Sequence, residues 1–355
     1  MSPRTLESVT VTLTVQQAGA IVGTIDGVLA IARRRRSVDP DDVALHDART
    51  AIEAALRADL DEGDGYEPPP ATARIPVALA GCKDADWTLE PDLTHAAVGT
   101  DCLIVAVPSK AFRGVMKNFS DYSSLVVSVT KGIEYDTGLT MCGVLRATIP
   151  KAVVVALSGP TFALEVARGI PSAIVAGSDD LAAAETVQQL FHRPTFRVYT
   201  STDVLGVELG GALKNVIAIA AGVGDGLGFG DNSKAAIITR AIVEMRRLGV
   251  ACGAQPETFF GLSGLGDLTA TCFSRLSRNR GLGECLGRGE KLEEILAKTV
   301  TVAEGYPTAR AAYQLAQRLN VVTPIIYETF AMLYEGKNVA KAVQDLTSRD
   351  SKAED

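Results

Sequence analysis

The chain has 355 residues, 47% of them hydrophobic and 22% charged, which is enough to bury a sizeable core and too apolar for a disordered chain. Its length is a prior for two domains, and its net charge of -7 argues against a general nucleic-acid surface. The six cysteines form no CxxC pair and the three histidines stand far apart, so neither a metal site nor a disulfide framework is expected. No uninterrupted apolar stretch of about 18 residues occurs, and MSPRTLESVT has no apolar core, so a membrane span and a secretory signal are not expected. These features together predict a cytoplasmic protein with reduced thiols.

From the N-terminus, VTVTLTV (9 to 15) alternates β-branched residues and reads as a strand. Residues 23 to 35 read as a helix, ending in a basic run, Arg33 to Arg36, that is either a solvated helix end or an anion contact. The linking stretch, VQQAGAIVGTID, comes close to a dinucleotide-binding turn: Gly19 and Gly23 are present, but Ala18 and Ala20 occupy the first two positions of G-x-G-x-x-G. A methyl at the second of those positions stands where a pyrophosphate oxygen should approach. DDVALHDAR (41 to 49) reads as a short strand, TAIEAALRADL (50 to 60) as a helix, and the Gly- and Pro-rich stretch after it as a loop. Asp47 falls where a ribose-binding acid is expected after such a turn, whereas Arg49 or the basic run would favour a 2′-phosphate.

CLIVAVPS (102 to 109), SLVVSVTKG (124 to 132) and AVVVALSGP (152 to 160) are continuous apolar runs with polar ends, as in strands buried on both faces of a parallel sheet. SAIVAG (172 to 177) and FRVYTS (196 to 201) read as further strands, with helical stretches between. The predicted fold is α/β: a Rossmann-like, mostly parallel sheet domain followed by an all-helical C-terminal domain. The boundary falls near Tyr199 to Asp203, giving a dinucleotide-binding domain over 1–200 and a helical substrate domain over 201–355. Helices are predicted at 204–221, 233–249, 292–298, 303–319 and 323–334.

Three places carry chemistry. Lys131, in VTKG, sits at a strand end, where open parallel sheets bind ligands; it is either a ligand contact or a solvated loop lysine. Lys214 shares a helix face with Val207, Gly210, Gly211, Ile217, Ala218 and Ala221, so its amine either snorkels out or is buried as a general base. Asp267 follows a GLG turn, and Ser277-Arg278-Asn279-Arg280 opens a helix that is either an ordinary capped helix or a phosphate site.

The runs VAVPS, TKGIE, LSGPTFALEVARGIP, GALKN, GLSGLGDLTATC, SRNR and VAEGY, in that order over about residues 101 to 345, resemble the NAD(P)-dependent glycerol-3-phosphate dehydrogenases. That resemblance implies interconversion of sn-glycerol 3-phosphate and dihydroxyacetone phosphate with NAD or NADP. It implies that Lys214 is the catalytic base and acid, and that Lys131, Gly159, Thr161, Lys214, Asn215, Asp267, Ser277, Arg278 and Asn279 bind the substrate. Gly19, Gly23, Lys131, Ala163, Arg278, Val302 and Glu304 would bind the cofactor, and Lys131 would tune Lys214 through like-charge repulsion. No metal, nucleic-acid partner or membrane span is expected, and a homodimer is. The competing reading is a non-catalytic descendant that binds triose phosphate with an impaired cofactor site. A third is that the segment upstream of about residue 95 reflects a wrong reading frame.

Overall fold

In the computed structural model the chain is described at residues 12–13, 29–33, 88–89, 93–298, 303–350 and 353. The altered turn with Gly19 and Gly23, the strand and helix expected over 41–60, and Val302 lie outside these residues. The chain divides into two units, one comprising residues 1–130, 141–157 and 161–202, the other 131–140, 158–160 and 203–355.

The first unit is built on a six-stranded sheet. In chain order its strands are β2 (Leu29–Arg33), β4 (Thr100–Val105), β5 (Leu125–Ser128), β6 (Val153–Ser158), β7 (Ser172–Gly177) and β8 (Phe196–Ser201), and they lie side by side in that order. The short strands β1 (Thr12–Leu13) and β3 (Thr88–Leu89) pair with each other in parallel. β4 to β5, β5 to β6 and β7 to β8 are parallel, with Val105 opposite Ser128 and Ser128 opposite Ala156. Val126, Val127, Val154 and Val155 are buried, which is why these strands are apolar without alternation. Helices α1 (Leu93–Ala97), α2 (Ser109–Met116), α3 (Met141–Thr148), α4 (Ala163–Ala167) and α5 (Leu181–Phe191) fall between the strands. Asp180 caps α5 by accepting from the backbone N–H of Ala182 at 2.9 Å.

One expectation fails here. Residues 29 to 33, predicted within a helix, form β2, which runs antiparallel to β4. Leu-Ala-Ile-Ala-Arg satisfies a period of two as well as a helical face, and pairing along the edge of β4 decides between them.

The second unit is helical. Its core is α6 (Val204–Gly226), surrounded by α7 (Asp231–Ala251), α8 (Asp267–Phe273), α9 (Arg278–Gly287), α10 (Leu292–Lys298), α11 (Gly305–Arg318), α12 (Pro324–Tyr334) and α13 (Val339–Thr347). α6 begins at Asp203, whose carboxylate accepts from Gly206 N–H at 2.9 Å and also from Gln255 N–H and the Thr258 hydroxyl. By length and composition α6 is apolar enough to cross a membrane, but 94% of its most apolar window is buried. Its glycines admit α9 at backbone distance: a Cβ on Gly226 would stand 2.7 Å from Gly287 Cα, and one on Gly222 would collide with the Arg280 carbonyl.

Candidate active site

Lys214 lies at the middle of α6 and is buried, its side chain 9% exposed. The amine does not snorkel to solvent. It donates to Asp267 Oδ1 at 2.8 Å and to Thr271 Oγ1 at 2.8 Å. Asp267 is the first residue of α8, reached through a π-type turn at Leu262–Gly266, and Thr271 follows it one helical turn later. The Thr271 hydroxyl in turn donates to the Asp267 carbonyl at 2.6 Å, so acid and hydroxyl are fixed relative to each other by their spacing of four.

Lys131 donates to the other carboxylate oxygen, Asp267 Oδ2, at 2.6 Å, and to the Gly159 carbonyl at 3.1 Å. One carboxylate therefore bridges two ammonium groups. Burial pushes the Asp267 carboxyl up, but the charges and hydrogen bonds of Lys131 and Lys214 outweigh burial and hold it below its ordinary value. The cluster has one more cation than anion, as an anionic substrate requires. Close approach is built in at Gly211, three residues before Lys214: a Cβ there would lie 3.5 Å from Lys131 Cδ and would collide with Ser158 Oγ.

A second cluster adjoins Lys214 in the chain. Asn279 Nδ2 donates to Asn215 Oδ1 at 2.9 Å, and Gly305 N–H donates to Asn279 Oδ1 at 2.8 Å. Ser277 caps α9 by accepting from Arg280 N–H, and Arg278, half-buried, is the first residue of that helix. Glu304, half-buried, precedes α11. The helical unit thus gathers Lys131, Gly159, Lys214 and Asp267 into one cluster and Asn215 and Asn279 into another. Thr161 and Ala163 belong to the sheet unit, half-buried at the start of α4.

Two site residues escaped the sequence reading. Thr271 carried a signal, its helical spacing from Asp267. Ser158 carried only a general one, the polar strand end LSGP: its hydroxyl is buried beside Gly211 and has no hydrogen-bond partner among the described residues. Cys272, next to Thr271, is not a nucleophile, because burial pushes its thiol up to about 12.

A mostly parallel α/β sheet followed by a helical unit with a carboxylate-bound buried lysine defines a nicotinamide-dependent dehydrogenase of the two-domain kind. The chain belongs to the NAD-dependent glycerol-3-phosphate dehydrogenase family: the family's N-terminal model matches residues 83–184 and its C-terminal model residues 203–344. It is 51% identical over 268 residues to a glycerol-3-phosphate dehydrogenase [NAD(P)+] of Geobacter sulfurreducens, covering 74% of this chain and 80% of that protein. A protein of the same name from Syntrophotalea carbinolica is 50% identical over 269 residues, covering 74% and 81%. Among solved structures, a glycerol-3-phosphate dehydrogenase from Coxiella burnetii superposes with a TM-score of 0.72 at 33% identity, covering 74% of this chain and 82% of that one.

The donor set fits the group the family implies. The Ser158 hydroxyl beside the amine cluster has no hydrogen-bond partner among the described residues, and Lys131 and Arg278 are cations of the type that bind phosphates.

Proposed function

We propose that this chain interconverts sn-glycerol 3-phosphate and dihydroxyacetone phosphate with NAD or NADP, Lys214 serving as general base and acid. The observation that carries this reading is the buried Lys214 amine, held by Asp267 and Thr271. A protein that merely bound triose phosphate would have no use for a lysine fixed in this way, and nothing in the structure favours that alternative.

In the oxidising direction Lys214, as the neutral amine, takes the proton of the substrate C2 hydroxyl and becomes the ammonium that pairs with Asp267; in the reducing direction that ammonium returns a proton to the oxygen at C2. The nicotinamide, when bound, accepts or supplies the hydride at C2. Asp267 and Asn215 orient the lysine and the substrate hydroxyls. Ser277, Arg278 and Asn279, with Lys131, hold the phosphate, where a fork-shaped guanidinium and a helix N-terminus suit a dianion. Gly159 and Thr161 complete the substrate contacts. Gly19, Gly23, Lys131, Ala163, Arg278, Val302 and Glu304 hold the cofactor. In this reading residues 1–200 carry the dinucleotide and 201–355 the substrate. The protein acts in the cytoplasm as a homodimer, without nucleic-acid or membrane partners.

The test is a titration followed by one assay. NADH or NADPH fluorescence should saturate at roughly micromolar concentration, and dihydroxyacetone phosphate should then drive its oxidation. Dihydroxyacetone phosphate binding with no cofactor binding up to roughly millimolar concentration would overturn the enzyme reading in favour of the binding one.

A further inference from the structure

Lys131 opens a hairpin, residues 131 to 140, that groups with the helical unit although it lies between two strands in the chain. Its two arms join through a bridge from Ile133 to Thr140 and a Glu134 N–H bond to the Leu139 carbonyl at 2.8 Å. Ile133 is buried in the helical core, which anchors the base of the hairpin. The tip is fastened differently. Arg310, Gln314 and Arg318, at spacings of four, form one stripe along α11. The Arg310 guanidinium lies 4.0 Å from the centroid of the Tyr135 ring and 5.8 Å from that of Tyr334. Gln314 Nε2 donates to the Tyr135 hydroxyl at 2.6 Å, and Arg318 donates to the Thr137 carbonyl at 3.3 Å. Gly138, with φ +76°, turns the tip against Arg318: a Cβ there would stand 3.3 Å from its Nη2.

We propose that this stripe, Arg310 above all, consists of positioning residues that set the Lys131 amine against Asp267 by holding Tyr135. The bond it protects is short. Lys131 Nζ stands 2.6 Å from Asp267 Oδ2, and a shift of the hairpin by about 1 Å would take the pair beyond hydrogen-bonding distance. The same helix begins at Gly305, whose N–H is bound by Asn279, so α11 ties the Lys131 hairpin and the Asn215–Asn279 pair to one rigid element. Arg310 and Arg318 are exposed, so the stripe contributes little to the core and can be altered without unfolding the unit.

The inference rests on Lys131 as a substrate contact, and the experiment separates the two. Arg310→Met should raise KM for dihydroxyacetone phosphate about tenfold, with kcat and the thermal midpoint nearly unchanged. Arg310→Lys should restore most of the loss, since an ammonium also sits favourably over an aromatic face. In a Lys131→Ala background Arg310→Met should add nothing, because the residue it positions is gone. Gln314→Met, which removes the bond to the Tyr135 hydroxyl, should move KM in the same direction by a smaller factor. A wild-type KM in Arg310→Met, or an undiminished effect in the Lys131→Ala background, overturns the positioning role while leaving Lys131 as a substrate contact. A wild-type KM in Lys131→Ala alone overturns the reading of Lys131, and the positioning role with it.

Discussion

Lys214 and Asp267, 53 residues apart in the chain, meet at 2.8 Å inside the helical unit, each almost wholly shielded from water. An amine buried this way is costly unless its partner is fixed, and Asp267 is fixed twice more, by Lys131 and by Thr271. The arrangement constrains where a proton can be taken from or delivered to, because the amine cannot swing without breaking two bonds at once.

Lys214→Ala should lower kcat about a thousandfold, within the range general acid–base groups supply. Dihydroxyacetone phosphate binding, measured by calorimetry with cofactor present, should change only a few-fold, since Arg278, Ser277 and Asn279 remain. Turnover at the wild-type rate in that variant would remove Lys214 from the mechanism.

Asp267→Asn leaves two ammonium groups facing each other without a counter-charge. Unfolding free energy at about pH 6 should fall by about 3 kcal/mol. The wild-type carboxyl lies below its ordinary value of 3.8 in the folded protein. Its contribution is therefore present above about 3.8 and lost as the pH falls through the lower, folded value. Urea midpoints measured from about pH 6 down to about pH 3 should fall more steeply for the wild type than for Asp267→Asn. Parallel slopes would show that Asp267 carries no linked proton.

Much of this was legible in the sequence, and the exceptions have physical causes. β7 and β8 end where SAIVAG and FRVYTS end, because loops close both runs and every residue pairs. α6 was expected to stop at Ala221, just before the alternating Gly222, Gly224 and Gly226, but runs on to Gly226. Helix propensity disfavours Gly222, Gly224 and Gly226; packing of two of them against the backbone of α9 overrides it, and that contact cannot be seen from local sequence. Lys131 had two readings, ligand contact or solvated loop lysine, and Lys214 had two, snorkelling or buried, because local sequence does not show which way a lysine stem turns. Their partner, Asp267, lies too far along the chain for spacing to reveal the pairing. The like-charge contact expected between the two lysines is mediated by Asp267, which binds one on each oxygen.

Away from the site, α7 and α12 are joined by a buried acid. Glu244 accepts from the N–H groups of Ile325 at 2.9 Å and Ile326 at 3.3 Å, satisfying donors at the start of α12. Burial pushes its carboxyl from 4.5 up to about 7, only partly offset by those two bonds. Because the folded value is the higher one, its stabilising contribution is complete below about 4.5 and is lost as the pH rises through about 7. Glu244→Gln should remove that decline: between about pH 5 and pH 8 its denaturation midpoint should stay flat where the wild-type midpoint falls. A wild-type slope in the variant would assign the decline to another group.

Thr271 is the site residue that composition hid, and its hydroxyl does two things. It accepts from Lys214 at 2.8 Å and donates to the Asp267 carbonyl at 2.6 Å. Thr271→Val keeps the shape and removes both bonds, leaving a buried ammonium one acceptor short. Stability should fall by about 1–3 kcal/mol, the cost of an unsatisfied buried donor. Activity should fall further than stability implies, because the amine loses one of the partners that fix it and can move about the Asp267 bond; the loss should appear in kcat, with KM little changed. Thr271→Ser, which keeps the hydroxyl and loses a methyl, should retain most of kcat while paying a modest packing cost in stability. A wild-type kcat in Thr271→Val would show that the hydroxyl has no role in aiming the lysine.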